Sequence, residues 1–227
     1  MKKHLHALSA VATATLLLVS CGGGSADPAP DAVLAGSSSA SFAECFELTP
    51  GVQYSMSTAA QYTVVERVFD GALEPGLSND QGAAEEGTYV DFIRVSDGFI
   101  RFLGDADYDK NGDLIVMWRT SEFKLRDNMQ PGESAEINYV EEFTSIDPPM
   151  NSSENESINI TFEGFEDLTL AGQTFSDTCR LSATRPETPG QTSVVWFAKG
   201  FGPIRTEFRR LGDVTETEEL NAVLATP

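Results

Sequence analysis

Apolar and polar residues alternate in short runs along most of the chain after residue 60. In one run, Ile158, Ile160 and Phe162 are separated by single polar residues, and residues 204–209 alternate in the same way. A period of two residues is typical of a strand with one buried face. Runs of this kind cover residues 60–70, 88–95, 99–104, 114–119, 136–146, 158–163, 179–183, 192–199 and 204–209.

Residues that favour turns separate these runs, and they lie at 96–98, 111–112, 130–132, 148–149 and 189–190. Roughly ten strands at near-regular spacing predict an all-β, mainly antiparallel domain. Its architecture is expected to be a curled sheet similar to a half-barrel, or a two-layer β-sandwich. At most one short helix is expected, near Glu218–Leu224.

The first twenty residues have a different pattern. Lys2 and Lys3 precede an apolar stretch from Leu5 to Val19 that is interspersed with small residues. A basic start followed by a short apolar stretch predicts a secretory signal peptide, residues 1–20. The stretch is shorter than the roughly 20 residues that a membrane-spanning helix needs.

The apolar stretch ends in Leu-Val-Ser-Cys at residues 18–21, which resembles the lipobox of bacterial lipoproteins. The resemblance implies cleavage before Cys21 and attachment of fatty acyl chains, palmitate among them, to that residue. Two or more acyl chains hold a protein stably on a bilayer. Gly22, in place of aspartate, implies transport to the outer membrane, with the domain facing the periplasm or the cell surface.

Residues 21–41 are rich in glycine, serine, alanine and proline. Such a segment cannot bury enough apolar surface to fold by itself, so it is expected to be a flexible tether. Its length would place the following domain roughly 25 Å from the bilayer. A single β-rich domain is expected at residues 42–227.

Charge and histidine content narrow the classes of function. Two of the 15 basic residues and none of the 35 acidic ones precede Cys21, so the mature chain, with 13 basic residues, would carry a net charge of −22. This charge repels nucleic acids and anionic lipid head groups, which leaves the acyl chains as the expected membrane contact. Both histidines, His4 and His6, lie in the signal peptide. The mature chain therefore lacks the residue that Ser-His-Asp or Cys-His catalysis and histidine-ligated zinc require.

Cysteine usage predicts one disulfide. The chain has three cysteines, and if Cys21 is acylated, Cys45 and Cys179 remain as a pair. Outside the cytoplasm the two thiols are expected to be oxidised to a disulfide. The alternative is two separate buried thiols.

A short acidic motif is the one candidate metal site. Its oxygen-bearing side chains are Asp107, Asp109, Asn111 and Asp113, with Gly112 at the sixth position of the motif. This spacing matches the first half of a calcium-binding loop. The twelfth position, however, is Trp118 instead of glutamate, and apolar strands flank the motif. The pattern therefore favours a β-hairpin turn around Asn111 and Gly112, with no cofactor expected, and calcium binding is the alternative if a distant carboxylate completes the site.

The segment from Phe162 to Glu207 resembles a pattern of bacterial envelope lipoproteins, in which an aromatic strand meets a Gly-x-Gly turn and a strand with a basic residue and a glutamate. The matching residues are Trp196, Gly200, Gly202, Arg205 and Glu207, while Pro203 stands where the pattern has an aliphatic residue. These families are similar to the curved half-barrels of Lol-type lipoprotein carriers, which implies the fold class. From the residues alone, we expect positive φ at both glycines, Trp196 in the core, and a surface pair between Arg205 and Glu207.

These observations predict a non-enzymatic envelope lipoprotein that binds a protein partner or a lipid-like, apolar ligand on its sheet. One alternative is a structural or assembly lipoprotein with a filled core. Another is a hydrolase that uses two carboxylates. Candidate acidic clusters for it are Glu85-Glu86, Glu141-Glu142, Glu163–Asp167 and Glu216–Glu219. In a chain with 35 acidic residues, a solvated surface is the favoured interpretation of such clusters.

Overall fold

The computed structural model describes residues 40–79, 87–146 and 148–227. The regular structure of this part of the chain consists of strands and one 3₁₀ helix, Phe42–Phe46. The strands are β1 (Gln53–Met56), β2 (Gln61–Phe69), β3 (Ala72–Asn79), β4 (Thr88–Ser96), β5 (Phe99–Tyr108), β6 (Leu114–Ser121), β7 (Leu125–Arg126), β8 (Ser134–Ser145), β9 (Met150–Leu170), β10 (Gln173–Thr184), β11 (Gln191–Ala198), β12 (Gly202–Arg210) and β13 (Asp213–Ala225).

The described strands form one antiparallel sheet. Its hydrogen-bonded order is β4-β3-β2-β1-β13-β12-β11-β10-β9-β8-β6-β5-β7. β4, the first strand in this order, also pairs with β5 along its whole length. The two ends of the sheet therefore meet, and the sheet curls around an interior. The strand order follows chain order almost throughout, as in a series of hairpins.

Apolar side chains fill one end of this interior. The 3₁₀ helix inserts there, with the Phe46 ring centroid 6.2 Å from that of Phe102 on β5 and 4.7 Å from that of Phe197 on β11. A disulfide between Cys45 and Cys179 attaches the helix to β10, which confirms the predicted pairing. Strands from opposite sides of the curl therefore share one core with the start of the domain.

The far half of the β2–β3 hairpin, residues 67–74, lies against the outer face of β4 and β5, and we call it the β2–β3 arm. Arg94 of β4 forms an ion pair with Glu74, which is buried. The Phe69 ring stacks on Phe92 with ring centroids 4.5 Å apart. The arm therefore supports β4 from outside, while the core supports it from within.

The predicted all-β, mainly antiparallel fold is confirmed, and of the two architectures the described strands form the curled sheet. Every alternating run lies in a strand, and each turn group lies between two strands. The alternation does not predict β1, β3, β7 or β13.

The helix expected near Glu218–Leu224 is wrong, because this segment lies within β13. Glutamate, leucine and alanine favour helices in isolation. Here Glu218 pairs with Thr206 of β12, and Leu220 pairs with Met56 of β1. Pairing on both edges therefore overrides local propensity.

The predicted signal peptide, Cys21 and all but the last residues of the tether fall on residues 1–39, outside the described residues. Across the described ranges, none of the helical structure has the length and apolar character to span a membrane.

Candidate functional site

Strands β4 and β5 place four polar side chains together on the inner face of the sheet. Tyr89 lies opposite Asp107, and Asp91 lies opposite Asp105. Directly opposite residues of antiparallel strands share a face, as do alternate residues along a strand. Ile93, two residues beyond Asp91, belongs to the apolar core. The acidic pair therefore borders the filled end of the interior.

Asp105 is buried without a compensating partner. Its side chain is almost inaccessible, with 1 % exposure, and neither carboxylate oxygen has a hydrogen-bond partner. The backbone enforces this position, because a bulge interrupts the β4–β5 pairing next to Gly104, whose φ is 125°. Burying an unpaired carboxylate costs several kcal/mol. The environment therefore favours either a proton or a cation on Asp105.

Asp91 has one hydrogen bond and partial access to solvent. The Tyr89 hydroxyl donates to Asp91 Oδ1 at 2.9 Å. Burial raises the pKa of Asp91 to about 7, against the Tyr89 hydrogen bond, which lowers it, while the charge of Asp107 raises it further. Burial, followed by the charge of Asp91, raises the pKa of Asp105 well above its usual range, against the nearby Tyr89 hydroxyl, which lowers it. Near neutral pH the pair therefore retains a proton that two exposed aspartates would have lost.

Aromatic rings lie beside the pair. Trp118 of β6 is the residue opposite Asp105, and its ring centroid lies 5.1 Å from that of Phe143 on β8. On the same face of the sheet, two strands from Tyr89, Tyr62 of β2 stacks on Tyr54 of β1 with centroids 5.3 Å apart. Burial raises the pKa of Tyr62 and thereby keeps its hydroxyl protonated. The rings therefore form apolar walls around the polar end of the interior.

Other strands bring further carboxylates near the pair. The charge of Glu141 on β8 raises the pKa of Asp105, and the charges of Glu218 on β13 and of Asp91 raise that of Tyr62. Groups must be close together to shift one another in this way. We call the following set the acidic inner site: Tyr62, Tyr89, Asp91, Asp105, Asp107, Trp118 and Glu141. Carboxylates beside aromatic rings can hold a proton or bind an organic cation.

The residues of the predicted calcium loop serve different purposes. Asp109 accepts hydrogen bonds from the backbone nitrogens of Asn111 at 2.8 Å and Asp113 at 2.9 Å. These contacts close the predicted hairpin turn between β5 and β6. Asp107, by contrast, points to the inner face. Within the described ranges no three histidine, cysteine or acidic side chains are grouped so that they could hold a metal ion, and calcium binding stays a prediction.

Trp196 lies in the core, as predicted. It occupies the face of β11 opposite to Phe197, within a second apolar cluster. The guanidinium carbons of Arg180 and Arg205 lie 5.3 and 5.0 Å from its ring centroid, and its Nε1 donates to Glu166. These contacts hold the ring in place.

The turn after β11 also matches the prediction, since φ is 85° at Gly200 and 87° at Gly202. The predicted pairing of Arg205 with Glu207 is confirmed, but its expected position at the surface is wrong, because Glu207 has only 6 % exposure. The second apolar cluster covers this face of the sheet, and Arg209 supplies a second cation. Both arginines contact Glu207 at 2.6 Å.

Glu141 and Glu142, singled out in the sequence as an acidic pair, do not form a paired site. Neighbouring strand residues point to opposite faces. Glu141 faces the acidic inner site, whereas Glu142 forms an ion pair of 3.4 Å with Arg119 on the other side. Glu85 and Glu86 lie outside the described residues.

Sequence reasoning missed the acidic pair. In the sequence, Asp107 matches only the calcium pattern, and no motif links Asp91 to Asp105. A signal was available, because Asp105 and Asp107 flank Ala106 in an otherwise apolar strand, and Asp91 interrupts another apolar run. An acidic residue at a strand position that alternation predicts to be buried indicates a functional site. Acidic residues in consecutive positions indicate one less strongly.

Two solved structures are similar to this chain. A Bacteroides fragilis protein described as exported, with a YmcC-like fold, has a TM-score of 0.46 and 12% identity over 79% of this chain and 98% of its own. A Parabacteroides distasonis protein described as a lipoprotein has a TM-score of 0.33 and 10% identity over 82% of this chain and 100% of its own. The sequence matches no protein-family model and no curated protein. The comparisons give the Lol-type resemblance no support.

Proposed function

We propose that this chain is an exported bacterial envelope protein, anchored through acyl chains on Cys21, whose β domain binds a ligand or partner and catalyses no reaction. The lipobox-like motif supports the anchor. The binding role rests on one observation, the buried and unpartnered carboxylate of Asp105 within a partly exposed acidic site. A buried, unpaired carboxylate lowers the stability of the fold, so its presence indicates a functional role.

Labelling with palmitate tests the anchor. Cells that produce the full chain are grown with labelled palmitate, and the mature N-terminal peptide is analysed by mass spectrometry. We expect label and an N-terminal acylated Cys21, both lost in Cys21→Ser. Cys45→Ser is the matched control and should retain the label, since Cys45 is a disulfide partner. An unlabelled chain that keeps residues 1–20 would overturn the anchor.

The packing of the interior favours a polar ligand over a lipid chain. The 3₁₀ helix and its phenylalanines fill the apolar end where an acyl chain would insert. A depression of about 520 Å³ beside the start of the domain is where a partly apolar group would fit, because its lining is mixed and includes Phe42, Met129, Phe165, Asp127 and Asn128. Native mass spectrometry of the purified chain separates the two cases. Lipid-sized adducts would favour the apolar ligand, and adduct-free protein the polar one.

The proton retained by Asp91 and Asp105 also favours a second candidate function, a carboxylate-dependent hydrolase. Two carboxyl groups that differ in protonation can act as acid and base. A screen against envelope polysaccharides between pH 4 and pH 8 tests this candidate. It requires an activity that Asp105→Asn abolishes and that the exposed control Asp213→Asn leaves intact.

A further inference from the structure

We propose that the acidic inner site binds a primary ammonium group between Asp91 and Asp105, carried by a small aliphatic amine or by a lysine side chain. The inference rests on the proposed binding function and specifies the chemical class of its ligand. Both sources present the same group, a compact cation with three N–H donors on an alkyl chain.

Asp105 supplies the strongest reason for a cation. A buried carboxylate without hydrogen bonds is stabilised by a positive charge that also donates hydrogen bonds. Asp91 lies opposite on the neighbouring strand, so one ammonium group can reach both carboxylates. Asp91, Tyr89 and Asp107 are each partly exposed, so a ligand can approach Asp105 past these three side chains.

The surrounding groups fit an organic cation better than a metal ion. Two carboxylates satisfy two of the three donors of an ammonium group, whereas Ca²⁺ takes six to eight oxygen ligands. Trp118 lies directly opposite Asp105, and Tyr62 lies on the same face of the sheet, two strands from Tyr89. Aromatic rings attract ammonium groups through the face of the ring and pack against the alkyl chain.

Binding is coupled to a proton. The titratable groups that act on Asp91 or Asp105 are all acidic, and they come from five strands: Tyr54, Tyr62, Tyr89, Asp107 and Glu141. Glu218, on a sixth strand, acts on Tyr54 and Tyr62, and the cation Arg185 acts on Glu141. A cation between Asp91 and Asp105 therefore replaces the proton that the pair retains. Affinity should rise with pH through the range around 7, where Asp91 titrates in the free protein, and each binding event should release up to about one proton.

Titration calorimetry of the full mature chain in detergent tests the proposal. The probes are 1,4-diaminobutane, a tri-lysine peptide, 1,4-butanediol as the uncharged counterpart of the diamine, and Mg²⁺ as an inorganic dication. We expect binding of at least one amine at pH 7.5, no binding of the diol, and at least tenfold weaker binding of Mg²⁺. The stronger of the diamine and the peptide identifies whether the ammonium group belongs to a free amine or to a protein.

Matched variants separate a specific site from the general charge of the protein. Asp105→Asn and Asp91→Asn should each weaken amine binding at least tenfold, and the exposed Asp213→Asn should change it less than twofold. Tyr89→Phe should move the pH midpoint of binding upward, because it removes the hydrogen bond that lowers the pKa of Asp91. Heats measured at pH 7 in buffers of different ionisation enthalpy report the released proton.

Two results would overturn the proposal. One is equal amine affinity in wild type, Asp105→Asn and Asp213→Asn, and the other is equal affinity for the diamine and Mg²⁺, since both indicate attraction by net charge alone. Circular dichroism confirms that each variant is folded. Failure of the palmitate experiment would remove the anchor and leave these affinities unchanged, so the two proposals fail separately.

Discussion

Asp105 combines three properties that seldom occur together in one side chain: near-complete burial, no hydrogen bond and an acidic neighbour on the next strand. An aspartate in the unfolded chain has a pKa of about 3.9. The folded protein raises that pKa, so the native state binds the proton more tightly than the unfolded state does. The contribution of Asp105 to the free energy of unfolding therefore decreases as the pH rises above about 4.

Replacing Asp105 by asparagine should stabilise the free protein at high pH. Asparagine keeps the shape of the side chain and removes the buried charge, so Asp105→Asn is expected to raise Tm by about 2–8 °C at pH 8. At pH 4, where wild-type Asp105 is protonated, the gain should vanish. Differential scanning calorimetry of both proteins across this pH range measures the effect. Asp213→Asn is the exposed control, and a lower Tm for Asp105→Asn than for this control at pH 8 would contradict the argument.

Glu207 illustrates the opposite case at the same scale. Burial alone would raise its pKa, but hydrogen bonds from Arg209 and Arg205 outweigh burial and lower it. The stabilisation is therefore present above the usual glutamate pKa of about 4.3 and is lost as the pH falls through the folded value.

Glu207→Gln should lower the free energy of unfolding by about 1–3 kcal/mol at pH 7, because the two partly buried guanidinium groups lose their counter-charge. The difference from wild type should shrink below pH 4. Urea denaturation at both pH values measures it. The exposed Glu216→Gln should behave like wild type throughout, and an equally small effect for Glu207→Gln at pH 7 would show that the arginines find other partners.

At the scale of the element, β5 depends on one glycine. Gly104 has a φ of 125°, and a Cβ there would overlap the carbonyl oxygen of Trp118 on β6. Gly104→Ala is therefore expected to lower the free energy of unfolding by at least about 3 kcal/mol, combining backbone strain with steric overlap. Gly98→Ala is the control, because φ is also positive there but the space is open, so only the strain of about 1–2 kcal/mol remains. Urea denaturation compares the two, and equal losses would mean that β5 and β6 can separate without cost.

The strands that sequence reasoning predicts and those that it misses differ in a physical way. Strands with one apolar face, such as β9 and β10, show the period of two directly. β3 contains Pro75 and Gly76, which read as turn residues, yet Gly76 is needed because a Cβ would lie 2.6 Å from Val90 Cγ1. β13 carries a helix-favouring composition that only its two neighbours override. The alternation of apolar and polar residues thus predicts the strands that bury a single face. It misses the strands that form only because they pair with strands distant in the sequence.

The same reasoning explains the outcome for the site. The disulfide could be predicted because cysteines are few and their chemistry restricts their pairing. The acidic pair could not, because it depends on the register between β4 and β5, including a bulge that the sequence does not display. With 35 acidic residues in the chain, only register and burial distinguish Asp91 and Asp105 from the others.

At the scale of the whole molecule, the disulfide joins the start of the domain to the middle of the sheet. Cys45 lies in the 3₁₀ helix and Cys179 in β10, 134 residues later. A cross-link that closes so long a loop restricts the unfolded chain strongly, which the chain-entropy model values at about 5 kcal/mol as an upper figure. The bond also keeps Phe42 and Phe46 in the interior, where they contact strands from both sides of the curl.

Reduction of this bond should therefore lower Tm by about 6–20 °C, the range that a loss of about 3–5 kcal/mol gives in a domain of this size. The double variant Cys45→Ser/Cys179→Ser should melt at the lower temperature with or without reductant. Cys21→Ser should keep the full response, because that residue takes no part in the bond. Calorimetry with and without dithiothreitol measures all three. A wild-type Tm that reductant leaves unchanged would mean that aromatic packing alone holds the helix against β10, and the unfolded chain would then be compact enough for the cross-link to restrict it little.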